Sequence, residues 1–467
     1  MNASYFTPGT NKKLLANNTC FLFIILLSVF SVLIPGKLKA QNTYTLSQAI
    51  NNGLANKQNI TSGRVDLSIS KLQTEALYRK YWPQVSAEYS YMYNPILPTS
   101  IFPIGAFNPS YPPDATQNIQ FGTNWSQTAG LTAIQPLLDV SINRNIDEAK
   151  MNERIAALSQ ARDEYDLANT IAETYIDICL QESNIKIAIE DTNRTFVTYT
   201  LMKNKFDQQT LLKSDLNRSK INHNNAIQKV RDAITLLIEN KVYLLYLMGI
   251  NEIEKWDFEV DSNFIQNDLI GIFDSPPSFD QLPDLQALEL QSQLSAFQAK
   301  LEKGKYVPTL NLKGFIGANQ FTNNFNPVEA NTWYGLSYVG LVANFPLLIG
   351  ENKQKKLSEY SMQSQQYALQ KADKTAEYQK DIYTAQLRIS NLQEQLKIQE
   401  ENIELIKELI EIIQERAVSG QESASTLNLE EADLQEMEAE YQGNRKELWV
   451  YWLNYLKASG KLTQLWQ

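Results

Sequence analysis

The sequence predicts a mostly helical protein with a few β-strands, built from two copies of one unit. Three pairs of segments recur in the same order along the 467 residues. Residues 80–91 (KYWPQVSAEYSY) match 305–316 (KYVPTLNLKGFI), 131–143 match 341–353, and 206–216 match 417–427 more weakly. Recurrence in a fixed order indicates internal duplication. We therefore expect each copy to contain a helix, two strands around a loop, and two long helices around a turn.

The first 40 residues are predicted to be a secretory signal peptide. Lys12 and Lys13 precede the uncharged apolar run 20–34, and small residues lead to Ala40. The alternative, a membrane anchor, fits less well because the run is shorter than the roughly 20 residues of a bilayer span.

The mature chain is predicted to be acidic and without a disulfide. The segment 1–40 holds four of the 42 basic residues and none of the 52 acidic ones, so 38 and 52 remain and the net charge is −14. This acidity disfavours nucleic acid and anionic lipid as partners. Cys179 is then the single cysteine, so packing or oligomerisation has to hold the chain together.

The first repeat is predicted to span residues 41–250. We expect its opening helix at about 46–79, strands at about 83–94 and 124–136, and a helical hairpin at about 140–250 that ends at Gly249. The loop 94–123 between the strands is rich in Pro, Asn and Tyr.

The second repeat is predicted to span 284–467, after a linking segment at 251–283. We expect its opening helix at about 284–304, strands at about 307–319 and 333–346, and a hairpin at about 348–460 that ends at Gly460.

The strands alternate between apolar and polar residues. In 84–93 one face carries Val85, Ala87 and three tyrosines, and the other carries mainly polar residues. Each strand has about 10 residues, the length that a tilted strand needs to cross a bilayer.

The long helices have no breakers. Residues 145–203 and 351–419 contain neither Pro nor Gly. Some 55–65 helical residues would span roughly 80–100 Å. Apolar residues recur in them at coiled-coil spacing, for example Leu158, Ala161, Tyr165, Ala168, Ala172, Tyr175 and Cys179.

Four amphipathic strands cannot close a membrane barrel, which typically needs at least eight, and open edges are not tolerated in lipid. Several copies of the chain must therefore share one barrel, with eight strands from two copies or twelve from three. The strand–helix junctions would be marked by Pro83, Pro136, Pro308 and Pro346, because proline donates no ladder hydrogen bond and suits a helix start.

These duplicated motifs, in this order behind a signal peptide, resemble the TolC family of outer-membrane efflux proteins from about residue 44 to 460. The resemblance implies a homotrimer with a 12-stranded β-barrel in the outer membrane of a Gram-negative bacterium. A periplasmic α-helical barrel would continue it. The trimer would be the exit duct of a tripartite efflux or type I secretion system, and its partners would be a periplasmic adaptor, an inner-membrane transporter and outer-membrane lipid.

The resemblance also places function at the two hairpin turns. The candidates for adaptor contact are Phe206, Gln209, Thr210, Ser214, Gly420 and Ser425. Gly420 suits a left-handed helix end, and Ser214 and Ser425 are expected to cap the returning helices. The alternative is that both segments are ordinary turns.

The candidates for a periplasmic gate are Asp215, Glu422, Arg416 and Thr426. Asp215 matches a gate aspartate of the family. Glu422 stands where one branch has a gate arginine, and Thr426 replaces an acidic ring position, so the family's arginine–aspartate latch does not carry over. Arg416 is the candidate substitute, at an ill-fitting spacing. Threefold rings of Asp215 or Glu422 would favour cations; alternatively both carboxylates cap helix N-termini.

No constellation of catalytic residues, cofactor-binding loop or metal-spaced cluster is visible, so we predict neither an enzyme nor a bound cofactor. A passive duct and a secreted coiled-coil structural or adhesive protein are the two function classes left. The membrane-length strands favour the duct. The cargo, whether drug, metal ion or protein, is left open.

Overall fold

The computed structural model describes residues 43–252, 254, 256–262, 276–304, 307–326, 333–347, 353–419 and 421–466. The predicted signal peptide lies outside them. The helices are α1 (Leu46–Asn56), α2 (Gln58–Tyr78), α3 (Val140–Asp207), α4 (Lys213–Leu247), α5 (Pro283–Gly304), α6 (Lys353–Val418) and α7 (Ala424–Ser459). The strands are β1 (Thr43–Tyr44), β2 (Gln84–Tyr93), β3 (Thr99–Phe102), β4 (Gln117–Gln120), β5 (Trp125–Leu138), β6 (Glu259–Val260), β7 (Thr309–Thr322) and β8 (Trp333–Asn344).

Two helices form rods that run most of the length of the molecule. α3 has 68 residues and α6 has 66, which corresponds to roughly 100 Å each. In one half of the molecule α3 packs against α4 and α6 against α7, and in the other half α2 and α5 take the places of α4 and α7. The predicted coiled-coil positions Ala168, Ala172 and Tyr175 are fully buried in α3. The rods predicted from the breaker-free sequence are therefore present.

Within the described part of the chain, no helix combines the length and the apolar character needed to cross a membrane.

Four strands form one antiparallel sheet in the order β2-β5-β7-β8. β5 pairs with β7, so the strand pairs of the two predicted repeats join side by side. The register aligns Ala87, Leu131 and Ile316 on one face, whereas Glu88 lies on the opposite face with Lys313. Glu88 and Lys313 are the two charged residues of these strands. The sheet thus has one face free of charge and one face that carries both charges.

The prolines mark three of the four predicted junctions. Pro83 directly precedes β2, Pro308 directly precedes β7, and Pro346 follows the end of β8. The expectation for Pro136 is wrong, since β5 continues past it to Leu138. The ladder shifts its register between Pro136 and Leu138, which accommodates a residue without an N–H group inside the strand.

A carboxylate, rather than the proline, begins the first rod. The Asp139 side chain accepts a hydrogen bond of 2.9 Å from the backbone N–H of Ser141 and so caps the N-terminus of α3.

The predicted single opening helix at 46–79 is two helices. Lys57, between α1 and α2, has an extended backbone with φ −64° and ψ 125°. Its ammonium donates a 2.9 Å hydrogen bond to the backbone carbonyl of Tyr246, in the last turn of α4. The same ammonium lies 3.1 Å from the centroid of the Tyr246 ring. A cation at the negative end of α4 is favourable. The break therefore lets the N-terminus of α2 abut the C-terminus of α4.

The long loop after β2 contains a small hairpin that sequence reasoning missed. β3 and β4 pair in antiparallel register from Thr99↔Gln120 to Phe102↔Gln117. The signal for strands was masked by the prolines that surround these short segments.

A belt of short elements packs on the middle of the rods. β1 pairs in parallel with β6 of the linking segment. The buried Tyr175 hydroxyl of α3 lies 2.9 Å from the carbonyl oxygen of Tyr44 and 3.1 Å from that of Asp261, and it accepts the Asp261 N–H at 2.9 Å. Burial raises the pKa of this phenol. One side chain therefore ties both belt strands to the rod.

Tyr175→Phe is expected to lower the free energy of unfolding by about 1–3 kcal/mol, because it leaves buried backbone groups of the belt without their partner. Denaturant unfolding of the variant in detergent measures this. Tyr383→Phe, at a side chain that is 65% exposed on α6, is the matched control and should have almost no effect. Equal effects of both substitutions would contradict the bridging role of Tyr175.

Candidate functional site

The first hairpin turn ends α3 with a left-handed residue. Gln209 has φ +61°. The N–H of Thr210 donates to the carbonyl of Lys205 at 3.0 Å, and the N–H of Gln209 donates to the carbonyl of Phe206 at 2.9 Å. These two bonds form a Schellman motif, in which glycine usually occupies the position of Gln209. Gln209 and Thr210 are exposed at the turn, and Phe206 is half-buried.

The second turn repeats this arrangement in its described part. The N–H of Gln421 donates to the carbonyl of Arg416 at 2.9 Å, as Thr210 does to Lys205. Gly420 precedes Ser425 by the same five residues that separate Gln209 from Ser214. Gly420 itself lies outside the described residues. The two turns are therefore structurally equivalent at the positions that can be compared.

The predicted helix caps are corrected. α4 begins at Lys213, so Ser214 lies inside its first turn, and the N-cap residue Leu212 provides no capping side chain. α7 begins at Ala424, and its cap is Ser423, not Ser425. The predictions were wrong by two residues because helix ends are the least certain feature of a sequence pattern.

Thr426 is engaged with this cap. The Ser423 hydroxyl oxygen accepts the Thr426 N–H at 3.1 Å and lies 2.9 Å from the Thr426 hydroxyl.

Ser423→Ala is expected to destabilise the start of α7 by about 1 kcal/mol, because the Thr426 N–H loses its acceptor. Ser425→Ala should change the stability of the start of α7 by only a few tenths of 1 kcal/mol, because Ser425 provides no cap and alanine is the better helix former at an exposed first-turn position. Hydrogen exchange of the amides in 424–430 measures the difference. A larger effect at Ser425 would restore the original assignment of the cap.

The structure does not bring the gate candidates into a latch within one chain. Asp215 is half-buried in the first turn of α4, Glu422 is half-buried in the second turn, and Arg416 is exposed. Among the described residues, Arg416 forms no ion pair; its carbonyl instead accepts hydrogen bonds from Gln421, Glu422 and the Ser419 hydroxyl. Arg416 therefore shapes the turn through its backbone.

A lysine that the sequence did not single out joins the two turns. The Lys205 ammonium of α3 donates to the carbonyl of Ala417 in the last turn of α6. A cation there is favourable for the C-terminal end of α6. Below it, an apolar cluster holds α3, α6 and α7 together; it consists of Met202, Ile403, Ile406, Ile410, Ile413, Leu427 and Leu434.

Along the same stretch of α7, between and beyond Leu427 and Leu434, the contact with α3 is also polar. We call the polar seam the contact of Asp191, Arg194 and Thr198 of α3 with Glu431 and Glu438 of α7. Thr198 donates a 2.5 Å hydrogen bond to Glu431, and Arg194 pairs with Asp191 on its own helix. Glu438 pairs at 3.3 Å with Lys407 of α6. Buried carboxylates in a helix contact carry no periodic signal, which is why the sequence pattern did not reveal them.

The family comparison concerns the C-terminal part of the chain, which holds the predicted second repeat. Residues 279–466 match the model of the outer membrane efflux protein family. This range covers α5, β7, β8, α6 and α7. No curated protein was found to match the chain by sequence.

Solved structures share the fold of nearly the whole chain. The outer membrane protein VceC of Vibrio cholerae is 12% identical with a TM-score of 0.69, and the match covers 89% of this chain and 96% of VceC. The Campylobacter jejuni CmeC outer membrane channel is 13% identical (TM-score 0.69, 89% and 85% covered). The open state of the Neisseria gonorrhoeae MtrE outer membrane channel is 13% identical (TM-score 0.65, 90% of each chain covered).

The predicted mostly helical fold with a few β-strands is thus confirmed, and solved outer membrane channels share it.

Proposed function

We propose that this protein is the outer-membrane exit duct of a tripartite export system, because residues 279–466 match the model of the outer membrane efflux protein family and the chain shares the fold of solved outer membrane channels. It would conduct cargo passively from the periplasm to the exterior. An inner-membrane transporter would supply the energy, and a periplasmic adaptor would bridge the two.

The observation that carries this proposal is the four-stranded sheet at one end of two rods of about 100 Å. Its uncharged face exposes Val85, Leu131, Ile316, Val339 and Leu341, each at least half accessible to solvent. An apolar face of this size, on strands of 10–14 residues, suits contact with lipid.

We further propose that three copies close one 12-stranded barrel. Among the described strands, β2 and β8 each have a neighbour on one side only. Such edges have to be paired in lipid, so β8 of one copy would pair with β2 of the next. The helices would close an α-barrel below, in the periplasm.

The hairpin turns are the proposed site of adaptor contact and of the gate. The exposed Gln209, Thr210, Ser214 and Ser425 are available to a partner, with Phe206 beside them and Gly420 proposed from its position in the sequence. Asp215 and Glu422 would form acidic rings around the threefold axis. Arg416 and Thr426 would support the gate by shaping the second turn.

The test is native mass spectrometry of the mature protein extracted from the outer membrane in detergent, followed by single-channel conductance in a planar bilayer. The expected result is a trimer that conducts. A monomer that needs no detergent would overturn the duct and leave the coiled-coil structural protein. Conductance of Asp215→Ala, with the exposed Glu440→Ala as a control, then tests the acidic ring.

A further inference from the structure

The polar seam contains more buried acid than cation. Three carboxylates, of Asp191, Glu431 and Glu438, meet the guanidinium of Arg194 and the ammonium of Lys407. Lys407 is 43% exposed at its side chain, so it compensates less than a buried cation would. An unbalanced charge in a buried contact is expensive unless it is neutralised.

The acids of α7 are only partly satisfied. Glu431 is 2% exposed and Glu438 is 5% exposed. Each uses one carboxylate oxygen, towards Thr198 and Lys407 respectively, and the second oxygen has no partner among the described residues. The Nε of Arg194 is likewise unpartnered there. A buried carboxylate in this situation gains by holding a proton.

The polar seam lies close enough to the hairpin turns to control whether the two hairpins stay in contact. Glu431 and Glu438 are seven and fourteen residues into α7, roughly 10 and 20 Å above the turn. Inside the second hairpin, α6 and α7 pack through isoleucines and leucines, and Lys407 of α6 pairs with Glu438 of α7. Across the contact between the hairpins, Glu438 instead faces the like charge of Asp191 on α3. A negative charge on Glu438 is repelled by Asp191 of α3 and attracted by Lys407 of its own hairpin, so it weakens the contact between the hairpins and leaves the second hairpin intact.

We propose that the polar seam is a proton-dependent latch: α3 and α7 stay together while Glu438 holds a proton, and loss of that proton to solvent separates them and opens the periplasmic end. The proposal rests on the proposed function, because opening matters only in a duct.

The surroundings of Glu438 set the direction of the pH effect. Burial and then the Asp191 charge raise the pKa of Glu438 to about 7, against the opposing effect of Arg194 and Lys407. Burial also raises the pKa of Glu431. On the side of α4, Lys229 and Asp232 line the same groove as Glu438, and Lys229 donates to Gln435 at 2.9 Å.

The sign follows from these pKa values. The closed seam binds more protons than a separated, hydrated one between the ordinary glutamate pKa and about 7. The closed state is therefore fully stabilised at pH values below the ordinary glutamate pKa. It loses this stabilisation as the pH rises, and the loss is complete above about 7.

The test is hydrogen exchange of the purified trimer from pH 5 to 8, corrected for intrinsic exchange rates, on peptides from 188–200 and 424–440. In the unmodified protein, protection of these segments should fall by up to about tenfold per pH unit for one released proton. Glu438→Gln should keep high protection throughout. Glu431→Gln should shift the profile, whereas the exposed Glu440→Gln should behave like the unmodified protein.

An unmodified protein without pH dependence, or a Glu438→Gln variant that keeps it, would overturn the latch. Conductance of the same samples separates the two proposals. A pore that conducts with a pH profile independent of Glu438 leaves the duct and removes the latch. Protection that depends on Glu438 in a protein that never conducts leaves a latch without a duct.

Discussion

Leu131→Arg is expected to remove most of the protein from the outer membrane, whereas Thr132→Arg at the next residue should leave insertion intact. Both positions lie in the middle of β5, on opposite faces. Leu131 lies on the uncharged face and is 50% exposed, and Thr132 lies on the face that carries Glu88 and Lys313. A cation on the lipid side near the bilayer centre costs about 2–4 kcal/mol.

The measurement is the amount of each variant in the outer-membrane fraction, followed by urea unfolding of the inserted protein. Thr132→Arg would add a third charged residue to the face that carries Glu88 and Lys313, which is the proposed lumen side. It should therefore change conductance instead of insertion. Equal loss of both variants would mean that the sheet does not separate lipid from water. A larger loss for Thr132→Arg would mean that the two faces have been assigned the wrong way round.

Gly249→Ala and Gly460→Ala are each expected to destabilise the belt by about 2 kcal/mol or more. Both glycines end a helix with a left-handed backbone, at φ +71° and +75°. A Cβ at Gly249 would lie 2.7 Å from the backbone of Asn56, and one at Gly460 would lie 2.8 Å from the carbonyl oxygen of Ser278. Neither contact can relax by rotation of a side chain, so the backbone has to move.

Cys179 provides the measurement. It lies in the belt core, and burial raises the pKa of its thiol to about 12, so it reacts with a maleimide only when the belt opens. Both glycine variants should react faster than the unmodified protein. Gly443→Ala in the middle of α7 is the matched control: its Cβ meets nothing within 4 Å, and it should stabilise the helix by about 0.5–1 kcal/mol. Labelling that is unchanged in the first two variants would contradict the close approach.

Much of the architecture could be predicted because it depends on local patterns. The absence of Pro and Gly predicts α3 and α6, since an uninterrupted amphipathic segment has no reason to end. Period-two alternation predicts β2 and β7, and order predicts the duplication. The capping residues were harder to predict. Ser423 and Ser425 are both good capping residues, and which of them caps α7 depends on the residue at which the helix starts.

The sequence by itself determined the elements that are fixed by neighbours along the chain: the two rods, the four strands of the main sheet and the glycines that end each predicted repeat. The tertiary structure decided which side chains meet across them. It brings Lys57 to Tyr246, Lys205 to Ala417, and Glu431 to Thr198, across 189, 212 and 233 residues. Such contacts produce no repeating pattern in the sequence, because each depends on a single charged residue at the point where two helices meet. Only the packing of the helices shows that these charged side chains are shielded from solvent.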